Sequence, residues 1–274
     1  MELPQEALEN SALVVAHPDD EVLWFSSIIE DVGHIIIVFN ASAKHPDLAA
    51  SISAALAGHR YRDKIVTLDL AQAESHNRAD WPLPEDTDYG LRLERAPGLD
   101  APYAEQAARV AEALDPHLAG MRNVFTHNPW GEYGHEAHVQ LSKVTTRLAA
   151  RRGATVWYGN YVSGKSSRLM RRYVHGFSND YYRRDVDAAR AREVADTYVR
   201  SGAWTFDGDH AFFPTECFIR GPLEAAAEAA AGALFPVNYL RVPFDPVPAT
   251  TAPPGIIQRL QRKLRSVSGH AATD

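Results

Sequence analysis

The sequence predicts an α/β fold: a Rossmann-like, mostly parallel sheet with helices on both faces, plus a smaller C-terminal subdomain. Two observations carry this. Short runs of Val, Ile, Leu and Phe alternate with helix-length stretches whose apolar residues recur three and four apart, and strands alternating with helices in this way build βαβ units. The composition agrees, since 274 residues at 45% hydrophobic and 23% charged are ordinary for one large domain or one domain with a sizeable annex.

The elements follow in order. Strands are expected over residues 12–16, 34–39, 64–68, 123–126 and 155–158, and helices over 21–31, 47–56, 103–114 and 136–151. Residues 73–102, broken by Trp81-Pro82, Pro84, Pro97-Gly98 and Pro102, are too long for a simple connection and read as a binding loop or lid. Residues 1–161 are therefore expected to form the α/β core, and the aromatic and charged stretch 162–242 a smaller subdomain completing the fold. Residues 243–274 read as a Pro-rich linker and a basic helix, with Ile256, Ile257, Leu260 and Leu264 on one face beside Arg259, Arg262, Lys263 and Arg265. Docking on its own domain is the expectation for that helix, with a membrane surface or a partner as the alternative.

Several classes are disfavoured. A net charge of -7 leaves no basic stripe for nucleic acid. The single Cys217 excludes an internal disulfide, "MELPQEALEN" is too acidic and polar for a signal peptide, and no apolar run approaches the ~20 residues of a membrane span. The expected location is the cytoplasm and the expected partner is a small molecule.

The chemistry concentrates in two stretches. In "LVVAHPDDEVLWF" the first strand runs directly into His17, Asp19, Asp20 and Glu21, at the strand end where open α/β sheets bind ligands. Acids there replace the glycines that would cradle a phosphate, which argues against a dinucleotide site. Imidazole and carboxylate together attract a divalent metal. In "FTHNPWGEYGHEAHVQL" another strand ends at His127, and His135 and His138, three apart, open the next helix on one face. His17, Asp20 and one histidine of that pair would make an open two-His, one-carboxylate site. The bland alternative is that the acids merely meet a helix dipole. The remaining histidines, His34, His45, His59, His76, His117, His175, His210 and His270, read as surface or ordinary polar residues.

"AHPDDE" and the later "GEYGHEAH" are similar to the motifs of the LmbE or PIG-L family of zinc-dependent N-acetylglucosaminyl deacetylases. That resemblance implies zinc on His17, Asp20 and His138, Asp19 as general base, His135 assisting the oxyanion or the leaving amine, and Tyr133 near the reacting carbonyl. Glu21 reads as an acid that organises the loop. The implied partner is an N-acetylated amino-sugar conjugate, and another divalent ion suits the same ligands. Trp130 and Trp81 are candidates for sugar stacking or for the core, and His127 for substrate binding or for support behind the ligands. Two alternatives remain: "GNYVSGKS", residues 159–166, matches a phosphate-loop pattern with Lys165 and Ser166, as a nucleotide-binding protein would have, and the same ligand set also suits a non-catalytic, metal-bound carbohydrate-binding protein.

Overall fold

The computed structural model describes residues 1–41, 46–93, 98–174, 181–207, 210–225 and 236–241. The chain divides into a unit Met1–Val242 and a unit Pro243–Asp274, so the expected C-terminal linker and helix lie outside the described residues. So do His45, His175 and His270.

The central sheet has seven strands. In chain order they are β1 (Ser11–Val15), β2 (His34–Ala41), β3 (Ile65–Ala71), β6 (Asn123–Thr126), β7 (Thr155–Gly159), β9 (Tyr181–Asp185) and β10 (Thr215–Arg220). Their spatial order is β3-β2-β1-β6-β7-β10-β9. The first five are parallel, and β10 runs antiparallel to both β7 and β9. The segment expected as a smaller subdomain thus lends two strands to this same sheet. Small two-stranded ladders join β4 (Asp86–Thr87) to β5 (Gly90–Leu91) and β8 (Tyr161–Ser163) to β11 (Asn238–Leu240).

Strand alternation sorts the core into two layers. Leu13, Val15, Ile35 and Ile37 face α1 (Asp20–Phe25), α2 (Pro46–Gly58) and α6 (Ala188–Ser201), the helix after the short α5 (Ser167–Tyr173). Ala12, Val14, Ile36 and Val38 face α3 (Asp100–Leu114) and α4 (Glu136–Arg151). With both faces covered, β1 has no polar face to present, which is why it reads as an unbroken apolar run.

Two helix boundaries differ from the sequence reading for physical reasons. The first helix ends at Phe25 rather than at residue 31. The amides of Ser26 and Ser27, which would extend the helix, donate instead to the Glu216 carboxylate at 2.9 and 3.0 Å, and both hydroxyls join them. α3 begins at Asp100, because Pro102 lies in the first turn, where its missing N–H has no intrahelical partner to lose.

The sheet order reverses between β1 and β6, with β2 on one side and β7 on the other. That switch point is where the carboxyl ends of parallel strands open a crevice. The two histidine-containing stretches begin there.

Candidate metal centre

The loop after β1 folds on itself. The His17 amide donates to Asp20 Oδ2 at 2.7 Å, and between them Asp19 takes φ 95°, ψ -23°, a left-handed conformation costing about 1–3 kcal/mol for a residue with a side chain. Glu21 holds this turn in place. Its Oε2 accepts the Asp19 amide at 3.1 Å, and its Oε1 accepts the Tyr198 hydroxyl at 2.8 Å and lies 3.4 Å from His59 Nε2.

The loop after β6 turns back toward the same point. At Gly131, with φ 70°, a Cβ would stand 2.6 Å from the His135 carbonyl oxygen, so only glycine fits. The return places His135 as the N-cap of α4, its Nδ1 accepting the Ala137 amide at 3.1 Å. His138 follows in the first turn, its ring stacked 4.7 Å from that of His135.

The two loops bring three ligand atoms together. His17 Nδ1 is 3.2 Å from Asp20 Oδ2 and 3.3 Å from His138 Nε2, and Asp20 Oδ2 is 3.4 Å from His138 Nε2. A tetrahedral zinc with arms of about 2.0–2.1 Å spans ligand–ligand edges of about 3.3–3.4 Å. The triangle therefore has the size of one face of such a site, and these residues can hold a divalent metal.

Each ligand is also held from behind. His17 Nε2 is 2.6 Å from Gln72 Oε1, Asp20 Oδ1 accepts the Trp24 indole N–H at 2.8 Å, and His138 Nδ1 is 2.8 Å from Glu132 Oε2. The side chains of Asp20 and His138 are 4% and 0% exposed against 22% for His17, so the triangle opens on the His17 side.

Charge balance explains how the acids tolerate burial. Burial opposes ionisation of Asp20, but His138 and His127 hold its carboxyl well below the usual range. Burial likewise pulls His138 down, and Asp20 and Glu132 outweigh it, raising the imidazole to about 10.

Asp19 and Tyr133 lie around the triangle. Asp19 is buried beside it but contributes no ligand atom, and its Oδ2 accepts from the Thr205 hydroxyl and amide at 3.2 and 3.4 Å. Tyr133 is half-buried, with its ring 5.7 Å from His135 and 5.5 Å from His138.

Of the two readings open for His127 and for Trp130, the burial of both fits the supporting and core ones. His127 is fully buried behind His138, the rings stacked at 3.8 Å; its Nε2 accepts the Ala16 amide and its Nδ1 faces Glu132, so both nitrogens are committed to the scaffold. It shares Glu132 with His138 as a supporting network. Trp130 is also fully buried, its indole N–H donated to the Tyr161 carbonyl at 2.7 Å, which closes its faces to a sugar. Trp81 is buried too and belongs to the long loop, which Glu136 pins by accepting from the amides of Asn77, Arg78 and Ala79 and from the Trp81 indole.

Gln72, Glu132, Thr205 and His76 escape the sequence reading. Glu132 stands inside the second motif, where an acid six residues ahead of a candidate ligand histidine is the available signal. His76 comes from the long loop and sets its ring 4.7 Å from that of His135. Gln72 and Thr205 have no local signal, since each reaches its partner across the fold.

The phosphate-loop match adopts another shape. Tyr161–Ser163 is strand β8, paired with β11. Lys165 Nζ donates to the Gly134 carbonyl and to Asn77 Oδ1, and Ser166 Oγ donates to the Glu132 carbonyl. The stretch buttresses the second motif instead of wrapping an anion.

No family model matches the chain, and no curated protein does. Among solved structures it is similar to the A40926 pseudoaglycone deacetylase Dbv21, at 14% identity and a TM-score of 0.47 over 79% of this chain and 98% of that one. It is also similar to a deacetylase of teicoplanin biosynthesis in complex with teicoplanin, at 12% identity and a TM-score of 0.48 over 77% of this chain and 98% of that one. The zinc-inhibited form of teicoplanin deacetylase Orf2 matches at 14% identity and a TM-score of 0.47, with the same coverage.

Proposed function

We propose that this protein is a metal-dependent N-deacetylase that hydrolyses the acetamide of an N-acetylglucosamine-type sugar conjugate to the free amine and acetate, working on a small molecule in the cytoplasm. The observation that carries the reading is the His17–Asp20–His138 triangle, of metal-ligand size and open on one side, with the Asp19 carboxylate beside it and outside it. The sugar class rests on the motif resemblance. No helix among the described residues is long and apolar enough to cross a membrane.

Two imidazoles and one carboxylate suit zinc first, and iron or another divalent ion second. When bound, the metal supplies a Lewis acid for the amide oxygen and lowers the pKa of water. Asp19 takes the proton from the water whose oxygen bonds to the carbonyl carbon. His135 accepts the Ala137 amide at Nδ1, which leaves the proton of the neutral ring on Nε2 as a donor for the developing oxyanion. The C–N bond then breaks, and the proton carried by Asp19 passes to the departing nitrogen. Tyr133 offers the substrate a partly exposed aromatic face beside the triangle.

The test is acetate release from lipid-, nucleotide- and inositol-linked N-acetylhexosamines, using zinc-loaded and chelator-stripped protein. Release confined to the loaded protein is expected; release from none of them would contradict the reading.

A further inference from the structure

Residues 203–207 belong to no motif, yet one of them, the exposed Thr205, bonds the buried Asp19. The route starts in α6, whose Tyr198 hydroxyl donates to Glu21 at 2.8 Å, while Glu21 in turn accepts the Asp19 amide at 3.1 Å. The helix ends at Gly202, which takes φ 74°, a conformation glycine adopts without cost. The Ala203 amide then bonds the Tyr198 carbonyl at 2.9 Å, so the chain reverses over its own last turn. This reversal delivers Thr205 to Asp19.

Thr205 presents two donors to a single oxygen. Its hydroxyl lies 3.2 Å and its amide 3.4 Å from Asp19 Oδ2. Asp19 Oδ1 receives no hydrogen bond among the described residues. The neighbouring side chain fastens the segment, since the Phe206 ring packs edge-on against Trp24 at 5.2 Å and against Tyr133 at 5.6 Å. One helix therefore grips Asp19 at its backbone through Tyr198 and Glu21, and at its carboxylate through the turn that follows.

We propose that Thr205 is a positioning residue for Asp19, fixing Oδ2 so that Oδ1 is presented as the proton-accepting oxygen. This rests on the role given to Asp19 above. A general base acts only from within hydrogen-bond reach of the proton it removes, and a buried carboxylate in a strained turn needs a fixed rotamer to hold that reach. Thr205 touches none of the three ligand atoms, so its contribution falls on turnover and not on metal retention.

The experiment compares Thr205→Val and Thr205→Ser with the zinc-loaded wild type. Thr205→Val is expected to lower kcat roughly tenfold or more, the factor one hydrogen bond to a charged group supplies, with KM and zinc content little changed. Thr205→Ser, which keeps the donor, is expected to restore most of the rate. In an Asp19→Ala background Thr205→Val should cost nothing further. A kcat for Thr205→Val within about twofold of wild type, or an equal loss in the Asp19→Ala background, would overturn the assignment. If no acetamide is turned over, the catalytic reading itself fails, and urea unfolding of the zinc-free single and double variants judges the contact alone. Non-additive stabilities are then expected, and additive ones would overturn it.

Discussion

His138 Nε2 lies 3.3 Å from His17 Nδ1 although 121 residues separate them in the chain. Neighbouring parallel strands, β1 and β6, bring them together by ending at the same edge. Two neutral imidazoles facing each other through lone pairs repel, and a cation or a proton between them removes the conflict. The first prediction concerns that cation. Loading with zinc should raise the thermal midpoint, because a ligand at about 100 times its Kd stabilises the native state by about 2.7 kcal/mol. Chelation should reverse this, and His17→Ala or His138→Ala should abolish it; calorimetry with and without chelator checks both.

The residues behind the ligands should tune affinity. Glu132→Gln and Gln72→Leu leave all three ligand atoms in place but remove the charge facing His138 Nδ1 and the acceptor facing His17 Nε2, respectively. Loss of such support costs roughly 10- to 100-fold in metal affinity. Competition against a chromophoric chelator measures it, and Glu132→Gln should show the larger loss because Glu132 also supports His127.

The long loop should depend on one acid. Glu136 accepts the amides of Asn77, Arg78 and Ala79 together with the Trp81 indole, so Glu136→Ala leaves buried donors without partners. A cost of about 2–4 kcal/mol is expected, read by urea unfolding, with faster proteolysis in this loop.

Acid sensitivity should trace partly to His210. Burial and, next, Arg192 lower this imidazole to about 4, with Asp207 opposing, while an unfolded histidine titrates near ~6.5. The folded value is depressed, so the unfolded chain binds the proton first and stability is lost as pH falls from about 6.5 toward 4. Between pH 7.5 and 5 this amounts to about 1–2 kcal/mol. Urea unfolding of zinc-free His210→Phe at the two pH values should show a correspondingly smaller loss than wild type.

Local patterns made much of this readable before the fold was known. The parallel strands are continuous apolar runs, and α4 is bounded as its periodicity implies, because each buries a face that its own residues define. The candidate ligands are legible for a related reason: His17 and Asp20 sit directly after a strand, and His138 sits in the first turn of a helix. What stayed hidden depends on partners distant in sequence. The end of α1 is set by Glu216, 190 residues away from Ser26, and Thr205 meets Asp19 across 186 residues. His59 carries no local mark of its contact with Glu21 either. Trp130, open to two readings in the sequence, stands in a glycine-rich turn that folds inward onto Tyr161.

The most direct test of the central claim is Asp19→Ala, assayed beside the wild type for bound zinc and for acetate release. Asp19 lies next to the ligand triangle without joining it, so the variant should keep its zinc and lose on the order of 10²- to 10⁴-fold in rate. Near-wild-type turnover, or loss of the zinc together with the rate, would contradict the account.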